Sequence, residues 1–427
     1  MEIQRLTNEI SLKRTIDSGN EQQRLAVQEI LQAIKNEGDQ AVKRYTEKFD
    51  GTCLDNYRVT EEELQQAMTA LPDDVIDIMK EAASNIRAYH EKQKQNSWVD
   101  MSPTGTMLGM KRTPLDSVGI YVPGGTAAYP SSVLMNAIPA KVAGVSRIVM
   151  VSPPMADGTI SPVVLAAAQI AGITEIYKVG GAQAIGALAY GTESIVKVDK
   201  ITGPGNIYVA LAKREVYGDV DIDMVAGPSE ITVLADETAK AEQVAADLLS
   251  QAEHDPRACS VLVTTSWELA KQVRDEVQLQ LETLPRKEIA EAAWNHYGGI
   301  YVANDVEAAI DAVNELAPEH LEIQAANAIE IAAAIKHAGA IFIGPYSSEP
   351  VGDYFAGTNH VLPTNGTARF SSPLNIDDFQ KKTSLIMYSK QDFERNAEKI
   401  AAFARLEGLE AHARAIETRS KPEEERK

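Results

Sequence analysis

The sequence predicts an α/β fold with two parallel sheets, and three observations support this prediction. From residue 117 onward, short β-rich runs alternate with helical stretches, and glycine-rich turns follow several of the runs. Alternating strands and helices favour a parallel sheet that is covered by helices on both faces. The runs form two series, before and after residues 226–230, so we predict two related α/β units.

The elements follow one another in a clear order. Residues 1–115 are polar, with apolar residues at helical spacing in 20–38 and 61–95, which predicts a helical scaffold. Within it, His90 lies among charged residues, and we interpret it as a solvated surface histidine. The first series of strands is SVGIYV, RIVMV, EIYKV and VDKI, and the second is ITVLA, CSVLVTT, GGIYVA and GAIFIG. Residues 375–389 look extended and 391–420 form an amphipathic helix, with a frayed end after them.

Composition excludes several classes of protein. A length of 427 residues predicts two or three domains, and 44% hydrophobic with 24% charged residues is typical of a globular protein. The net charge of −20 argues against a nucleic-acid partner. The N-terminus has no signal-peptide core, and no apolar run is long enough to span a membrane. Cys53 and Cys259 form no C-x-x-C pair, so we expect a cytosolic protein with incidental thiols.

Four polar stretches place histidines beside carboxylates or an amide and suggest a metal-dependent enzyme. They are residues 248–256, 316–323, 352–364 and 407–415, and they contain Gln251, His254, Glu319, His320, Asp353, His360 and His412. Gln251 and His254 leave the same face of a helix end, although a Q-x-x-H pair is more often a plain polar helix end. An aspartate with imidazoles suits Zn²⁺, and Mn²⁺ or Co²⁺ can substitute.

Glu319 and His320 are adjacent in APEHLEI, and two interpretations stay open. Glu319 can be a favourable anion at a helix N-terminus. Alternatively, Glu319 is a general base beside a proton shuttle, His320.

The glycine turns at 123–125, 180–183 and 203–206 can present backbone N–H groups to a phosphate. None of them is a G-x-G-x-x-G fingerprint, so these turns permit dinucleotide binding without establishing it. In a parallel sheet, ligands bind beyond the carboxyl ends of the strands, and we expect the site there.

Several long stretches, in collinear order over essentially the whole chain, resemble the histidinol dehydrogenase family. The stretches are YVPGG, VGGAQAIGALAYGTESI, KITGPGN, DMVAGPSE, DLLSQAEHDP, APEHLE, GDYFAGTNHVLPT and EGLEAH. The resemblance implies two Rossmann-like, aldehyde-dehydrogenase-like domains with a helical N-terminal region and a C-terminal helical arm. It also implies a zinc-containing homodimer that oxidises L-histidinol through L-histidinaldehyde to L-histidine and reduces two NAD⁺.

The same resemblance assigns roles to individual residues. Gln251, His254, Asp353 and His412 would bind one Zn²⁺ per subunit, with His412 supplied by the partner subunit. Glu319 and His320 would carry the acid/base steps, Glu319 by activating water. Histidinol would contact Ser229, His360 and Glu407 together with His320 and the zinc ligands, and Glu407 would also cross the dimer. Tyr121, Gln183 and Asn206 would line the NAD site.

The implied domains are an extension at 1–19, a discontinuous metal-binding domain of 20–118 plus 230–374, an NAD domain at 119–229 and an arm at 375–427. Two other classes of protein compete with this interpretation. A zinc hydrolase would use Glu319 as its base but would not need the glycine turns. A non-catalytic metal- or imidazole-binding protein would not need the Glu319 and His320 pair.

Overall fold

The structure is a computed structural model that describes residues 1–7, 10, 12, 19–124 and 128–420. The chain divides into two compact units. The larger unit is Met1–Gln93 with Leu115–Phe379, and the smaller is Lys94–Pro114 with Gln380–Lys427. Among the described helices, none combines the length and the hydrophobicity needed to cross a bilayer.

The larger unit contains a five-stranded sheet in which every pairing is parallel. Its strands are β4 (Ser117–Tyr121), β5 (Arg147–Ser152), β6 (Glu175–Lys178), β7 (Lys200–Thr202) and β8 (Asp221–Ile222), and their order is β6-β5-β4-β7-β8. The first four are the predicted first series. Ile148 and Met150 pack into one core cluster while Val149 and Val151 pack into another, so the sheet is covered on both faces.

A six-stranded sheet, also entirely parallel, forms the rest of the core of this unit. Its strands are β1 (Ile3–Arg5), β9 (Glu230–Ala235), β10 (Cys259–Thr264), β11 (Gly299–Val302), β12 (His320–Gln324) and β13 (Ala340–Ile343), in the order β1-β11-β10-β9-β12-β13. The prediction of a second parallel sheet is confirmed. Two strands of this sheet are not predicted by the sequence pattern. One is β1, which joins the sheet edge beside β11, and the other is β12, whose residues suggest a helix start or a catalytic pair.

Helices cover both sheets. Around the five-stranded sheet lie α1 (Glu21–Glu37), α2 (Asp39–Asp50), α3 (Glu61–Thr69), α4 (Asp73–Glu91), α5 (Pro130–Ala143), α6 (Pro162–Ala171), α7 (Gly181–Tyr190) and α8 (Ile207–Val216). The other helices of this unit are α9 (Ala241–Ala252), α10 (Trp267–Leu281), α11 (Lys287–Tyr297), α12 (Val306–Leu316), α13 (Ala328–Ala334) and α14 (Glu349–Tyr354). Apolar residues of α1 to α4 pack against the five-stranded sheet, which differs from the predicted assignment of 20–118 to the half that contains 230–374.

The interpretation of His90 as a solvated residue is wrong. His90 is fully buried at the end of α4, where its Nδ1 lies 2.8 Å from Gln93 Oε1. Its Nε2 lies 3.5 Å from Asn359 Nδ2, and that amide also donates to the Met135 carbonyl. Burial lowers the pKa of His90, so the ring is neutral and its two nitrogens serve one donor and one acceptor role.

The smaller unit has a three-stranded antiparallel sheet in the order β14-β3-β2. Its elements are β2 (Trp98–Met101), β3 (Met107–Pro114), β14 (Gln380–Met387), α15 (Lys390–Leu406) and α16 (Glu410–Ser420). The predicted extended stretch is confirmed over Gln380–Met387, whereas the single helix predicted at 391–420 is two helices that are separated at residues 407–409. The hairpin of β2 and β3 was not anticipated, because its central strand β3 is paired on one side by residues about 270 positions away in the sequence.

The two parallel sheets are joined directly through residues 223–229. This segment leaves the carboxyl end of β8 and enters the amino end of β9, where Glu230 begins the strand. Its path is held by hydrogen bonds from Gly203 N–H to Asp223 Oδ2 at 2.8 Å and from Gly227 N–H to Thr364 Oγ1 at 2.8 Å. A short connection therefore joins the carboxyl end of the five-stranded sheet to the amino end of the six-stranded sheet.

Candidate active site

Glu319 and His320 lie at the amino end of β12. Ala317 adopts a left-handed conformation, with φ of 47°, and ends α12, after which Pro318 leads into the strand. The alternative interpretation of Glu319 as a helix N-terminal anion is wrong, since the segment enters a strand rather than a helix. Glu319 and His320 are only 7% and 3% exposed. Both buried polar side chains need partners in the protein interior.

One residue of the neighbouring strand orients both side chains. The backbone N–H of Glu230 donates to Glu319 Oε2 at 2.9 Å, and the carbonyl of Glu230 lies 3.0 Å from His320 Nδ1. A carbonyl oxygen only accepts hydrogen bonds, so Nδ1 carries the proton of the neutral ring. Nε2 then presents a lone pair, and among the described residues it has no hydrogen-bond partner. In the neutral ring, His320 Nε2 is thus a proton acceptor with a fixed direction.

Both groups have shifted pKa values. Burial raises the pKa of Glu319 to about 8, because the carboxylate is desolvated. Burial alone lowers the pKa of His320, but the charges of Glu319 and Asp353 more than offset this effect and raise it to about 10, so the ring is protonated at neutral pH unless a cation offsets those charges. A carboxyl group whose pKa lies near neutrality can gain and release a proton under physiological conditions, as general acid/base catalysis requires.

Asp353 lies on α14 and faces two imidazoles. Its Oδ1 is 3.6 Å from His320 Nε2, and its Oδ2 is 3.7 Å from His360 Nδ1. Glu349, one turn earlier on the same helix, is 2% exposed and was not identified from the sequence. Its spacing of four residues before Asp353 was the only available signal. Ligand atoms of His320, Glu349 and Asp353 all lie within 4.8 Å of one another, which is close enough to surround one cation.

Gln251 and His254 lie at the carboxyl-terminal end of α9. Gln251 is fully buried in its last turn, and neither amide atom of its side chain has a hydrogen-bond partner among the described residues. An unpartnered buried amide is costly, so this side chain fits a site where Oε1 binds a cation. His254 follows in the next turn and is exposed. The protein atoms around it still desolvate the ring and lower its pKa, and the charge of Asp353 opposes this effect.

Acidic side chains of β12 and α9 form a hydrogen-bond network at the first turn of α14. Glu322 Oε1 accepts the backbone N–H of Glu349 at 2.7 Å, and Gln324 Nε2 donates to Asp247 Oδ2 at 2.6 Å and to Glu322 Oε2 at 3.2 Å. Burial and the neighbouring Asp247 raise the pKa of Glu322 to about 9. Glu322 is therefore neutral at pH 7 and anchors the first turn of α14 without adding charge to the site. Sequence reasoning did not find this group.

Ser229, Glu407 and His412 complete the predicted set of substrate and metal residues. Ser229 is half-buried immediately before β9, and its carbonyl accepts the Cys259 N–H at 3.0 Å. Glu407 ends α15 and His412 lies in the first turn of α16, and both are exposed on the smaller unit. The larger unit thus brings together Glu319, His320, Asp353 and His360, and it supplies Gln251, His254 and Ser229.

The predicted nucleotide residues follow the carboxyl ends of the five-stranded sheet. Tyr121 ends β4, and its hydroxyl accepts the Gly181 N–H at the start of α7 at 3.1 Å. Gln183 lies in the first turn of α7. Asn206 caps α8 through bonds to Tyr208 N–H at 3.0 Å and Val209 N–H at 3.2 Å.

The turn before Asn206 depends on Gly203, whose φ is +108°. A Cβ at this position would lie 2.1 Å from the Tyr121 carbonyl oxygen, so only glycine fits. Asp223 and the buried Lys213 hold the turn through the Gly203 N–H at 2.8 Å and the Gly203 carbonyl at 2.9 Å, and they also form an ion pair.

Comparison with known proteins gives one consistent result. The family model described as histidinol dehydrogenase matches residues 13–420. The chain is 63% identical to the histidinol dehydrogenase of Geobacillus kaustophilus over 98% of this chain and 99% of that protein. It is 65% identical to that of Bacillus subtilis over 96% of each chain.

A solved structure matches the chain as well. The crystal structure of histidinol dehydrogenase from Elizabethkingia anophelis superposes with a TM-score of 0.93 at 41% identity, covering 98% of this chain and 97% of that one. Both the sequence relatives and the solved structure match along nearly the full length of the chain. The resemblance found in the motifs is therefore confirmed, and the chain belongs to the histidinol dehydrogenase family.

Proposed function

We propose that this enzyme oxidises L-histidinol through L-histidinaldehyde to L-histidine, the last steps of histidine biosynthesis, and that it reduces two NAD⁺ per turnover with one Zn²⁺ per subunit. The observation that carries the proposal is the buried pair of Glu319 and His320, which Glu230 orients beside Asp353. The pair provides two distinct proton acceptors, which suits two successive oxidations that each release protons.

The metal proposal rests on the side chains that fit a cation. Gln251, His254 and Asp353 would bind zinc with His412 of the partner subunit. The unpartnered amide of Gln251 supports this set. The compact group of His320, Glu349 and Asp353 is the alternative, but a His320 that bound the cation through Nε2 could not also accept the proton of the substrate. Zinc, when bound, would hold the imidazole and amine of histidinol and would draw the charge of Asp353 away from His320.

The chain's own residues then divide the proton transfers. His320 Nε2 takes the hydroxyl proton of histidinol while the hydride leaves the same carbon, giving the aldehyde. NAD⁺, when bound, supplies the hydride acceptor in both oxidations. Glu319 takes a proton from water as the water oxygen adds to the aldehyde carbon, and the protonated His320 returns its proton to the carbonyl oxygen, giving the hydrate and a neutral His320. His320 deprotonates the hydrate as the second hydride leaves, and the product is the carboxylic acid.

The contacts to the substrate and the cofactor come from different parts of the chain. Ser229 and His360 would bind histidinol, together with Glu407 of the partner subunit. Tyr121, Gln183 and Asn206 would bind NAD⁺ at the carboxyl end of the five-stranded sheet. In this proposal the six-stranded half is the metal and catalytic half, the five-stranded half binds the cofactor, and the tail from 375 onward is the exchanged arm.

A homodimer with shared sites is part of the proposal, and the surface of the smaller unit supports it. Large apolar side chains exposed on this unit are Trp98, Val99, Leu108, Ile386, Phe403 and Leu406. Extended exposed apolar surface usually marks an interface with another chain. We also propose a cytosolic enzyme without a nucleic-acid or membrane partner, in keeping with its acidic composition and its two free cysteines.

The central experiment is an assay of the purified chain with zinc, L-histidinol and NAD⁺. We expect two NADH and one L-histidine for each histidinol consumed, followed by absorbance and by chromatography. A zinc hydrolase, the competing function, would form no NADH and would instead cleave ester or amide substrates. One NADH per histidinol would contradict the proposed four-electron reaction.

Mixing variants tests the shared site. His254→Ala and His412→Ala subunits are each expected to be inactive, but a heterodimer would contain one site with both defects and one with neither. Because half of the dimers in an equal mixture are heterodimers, activity should return to about a quarter of the wild-type value. No recovery in a mixture that demonstrably exchanges subunits would mean that each site is built within one chain.

A further inference from the structure

The carboxylate of Asp50 lies beside the proposed NAD⁺ site, and neither the motifs nor the mechanism has assigned it a role. Asp50 is the last residue of α2, and Gly51 ends the helix in a left-handed conformation with φ of 69°. Gln183 Nε2 lies 3.4 Å from Asp50 Oδ2. Asp50 therefore reaches the first turn of α7 although it is distant from it in the sequence.

The charge of Asp50 also acts on a second residue of the proposed NAD⁺ site. Burial raises the pKa of Tyr121 to about 12, and the charge of Asp50 contributes to this increase. The Tyr121 hydroxyl in turn accepts the N–H of Gly181, the first residue of α7. The N-cap residue of this helix is Gly180, which has no side chain to cap the first turn. Asp50, Tyr121 and Gln183 thus surround a helix start whose backbone N–H groups can bind a phosphate.

Two side chains in this cluster retain unused hydrogen-bonding capacity. Gln183 is 1% exposed, and its Oε1 has no hydrogen-bond partner among the described residues. Among the described residues, Gln183 Nε2 is the one side-chain donor that reaches the Asp50 carboxylate, and no lysine or arginine there forms an ion pair with Asp50. Burial raises the pKa of Asp50 to about 6, which shows that the carboxylate is poorly solvated. Donors on a ligand would stabilise it.

We propose that Asp50 selects NAD⁺ over NADP⁺ by accepting hydrogen bonds from ribose hydroxyls of the cofactor. A carboxylate accepts two hydroxyl donors of a ribose readily, and acidic residues play this part in many dinucleotide sites. The additional phosphate of NADP⁺ would be repelled by the negative charge of Asp50 and would remove a hydroxyl donor. This inference rests on the proposed use of NAD⁺ and adds a residue that determines the choice of cofactor.

Isothermal titration calorimetry of the zinc-loaded full-length protein with NAD⁺ and with NADP⁺ tests the proposal. Asp50→Asn should weaken NAD⁺ binding at least about tenfold, because hydrogen bonds to a charged acceptor are stronger than those to an amide. The ratio of the NADP⁺ and NAD⁺ dissociation constants should fall by at least about the same factor. Glu47→Gln is the matched control, since it removes an exposed negative charge from the same helix and should change neither value.

Asp50→Glu keeps the charge and should retain the preference for NAD⁺, and it serves as the second variant if Asp50→Asn does not fold. If Asp50→Asn does not fold, an Asp50→Glu protein that has lost all preference for NAD⁺ over NADP⁺ would contradict the proposal. Equal cofactor affinities for the wild type and a folded Asp50→Asn variant would overturn the role of Asp50 alone. A wild-type protein that binds neither cofactor would overturn the proposed function as well.

Discussion

The two parallel sheets of the larger unit present opposite ends to their proposed ligands. The five-stranded sheet uses its carboxyl ends, where β4, β6 and β7 run into Tyr121 and the turns at Gly180 and Gly203. The six-stranded sheet uses its amino ends, where Glu230 begins β9 and His320 begins β12. Under the proposed function, the expectation that ligands bind at carboxyl ends would hold for the first sheet alone, because the candidate catalytic residues lie at the amino ends of the second.

The two sheet ends also differ in the chemical groups that they present. The carboxyl end of the five-stranded sheet is built from backbone groups and from glycines that allow close approach, as at Gly203. The amino end of the six-stranded sheet carries titratable side chains with raised pKa values, such as Glu319 at about 8 and His320 at about 10. Under the proposed function, two parallel sheets covered by helices would serve cofactor binding at one sheet and proton transfer at the other.

The largest expected effect tests whether the amino-end cluster is a metal site. His254→Ala should remove bound zinc and abolish histidinol oxidation together, because a four-ligand site loses a strong imidazole donor. Elemental analysis and the NADH assay measure the two effects. His296→Ala, which alters an exposed histidine of α11, is the control and should keep both. Full activity of a metal-free His254→Ala protein would contradict the proposed role of the metal.

The next effect separates the two proton acceptors. Glu319→Gln keeps the shape of the side chain but cannot accept a proton, so oxidation of histidinaldehyde should fall by about 10²–10⁴-fold. Oxidation of histidinol to the aldehyde should change much less, whereas His320→Ala should slow both steps. Single-turnover measurements with each substrate give the two rates. An equal loss in both steps for Glu319→Gln would contradict its assignment to water activation.

A smaller effect concerns the carboxyl end of the other sheet. Lys213→Met leaves Asp223 buried without its cation and should lower the free energy of unfolding by about 3–5 kcal/mol. It should also raise the KM for NAD⁺ with little change in the KM for histidinol, since the Gly203 turn loses one of its two anchors.

The double variant Lys213→Met with Asp223→Asn should recover part of the stability, because no unpaired charge remains and the amide oxygen still accepts the Gly203 N–H. Denaturant unfolding and steady-state kinetics check these outcomes. A rise in the KM for histidinol alone would mean that the turn does not serve the cofactor.

The smallest effect is a pH dependence. The pKa of Glu319 is raised to about 8, so the acid form persists at neutral pH and the base form increases as the pH rises through that value. Oxidation of the aldehyde should therefore accelerate from pH 6 to pH 9 with an apparent pKa near 8. The Glu319→Gln variant should lack this rise. A flat profile for the wild type would mean that Glu319 is already ionised in the working enzyme.

The sequence by itself determined most strands of the two parallel sheets and the family, but not β1, β12 or the hairpin of β2 and β3. Alternating β-rich runs and glycine turns gave both parallel sheets, because strand formation and left-handed turns depend on nearby residues. The motifs around Gln251, Glu319 and Asp353 identified the histidinol dehydrogenase family and the candidate site residues. Comparison with relatives confirms the family, whereas the individual roles of these residues stay predictions.

Only the tertiary structure decided which groups meet and how they are solvated. Glu322 anchors α14 through the Glu349 N–H, and Asp50 reaches Gln183 from a distant helix, so no local pattern could reveal either contact. His90 reads as a surface residue in its polar surroundings, yet long-range packing buries it beside Asn359. The pKa values that make Glu319 a candidate base arise from burial by several segments. Such burial is a property of packed neighbours, which short-range sequence patterns do not specify.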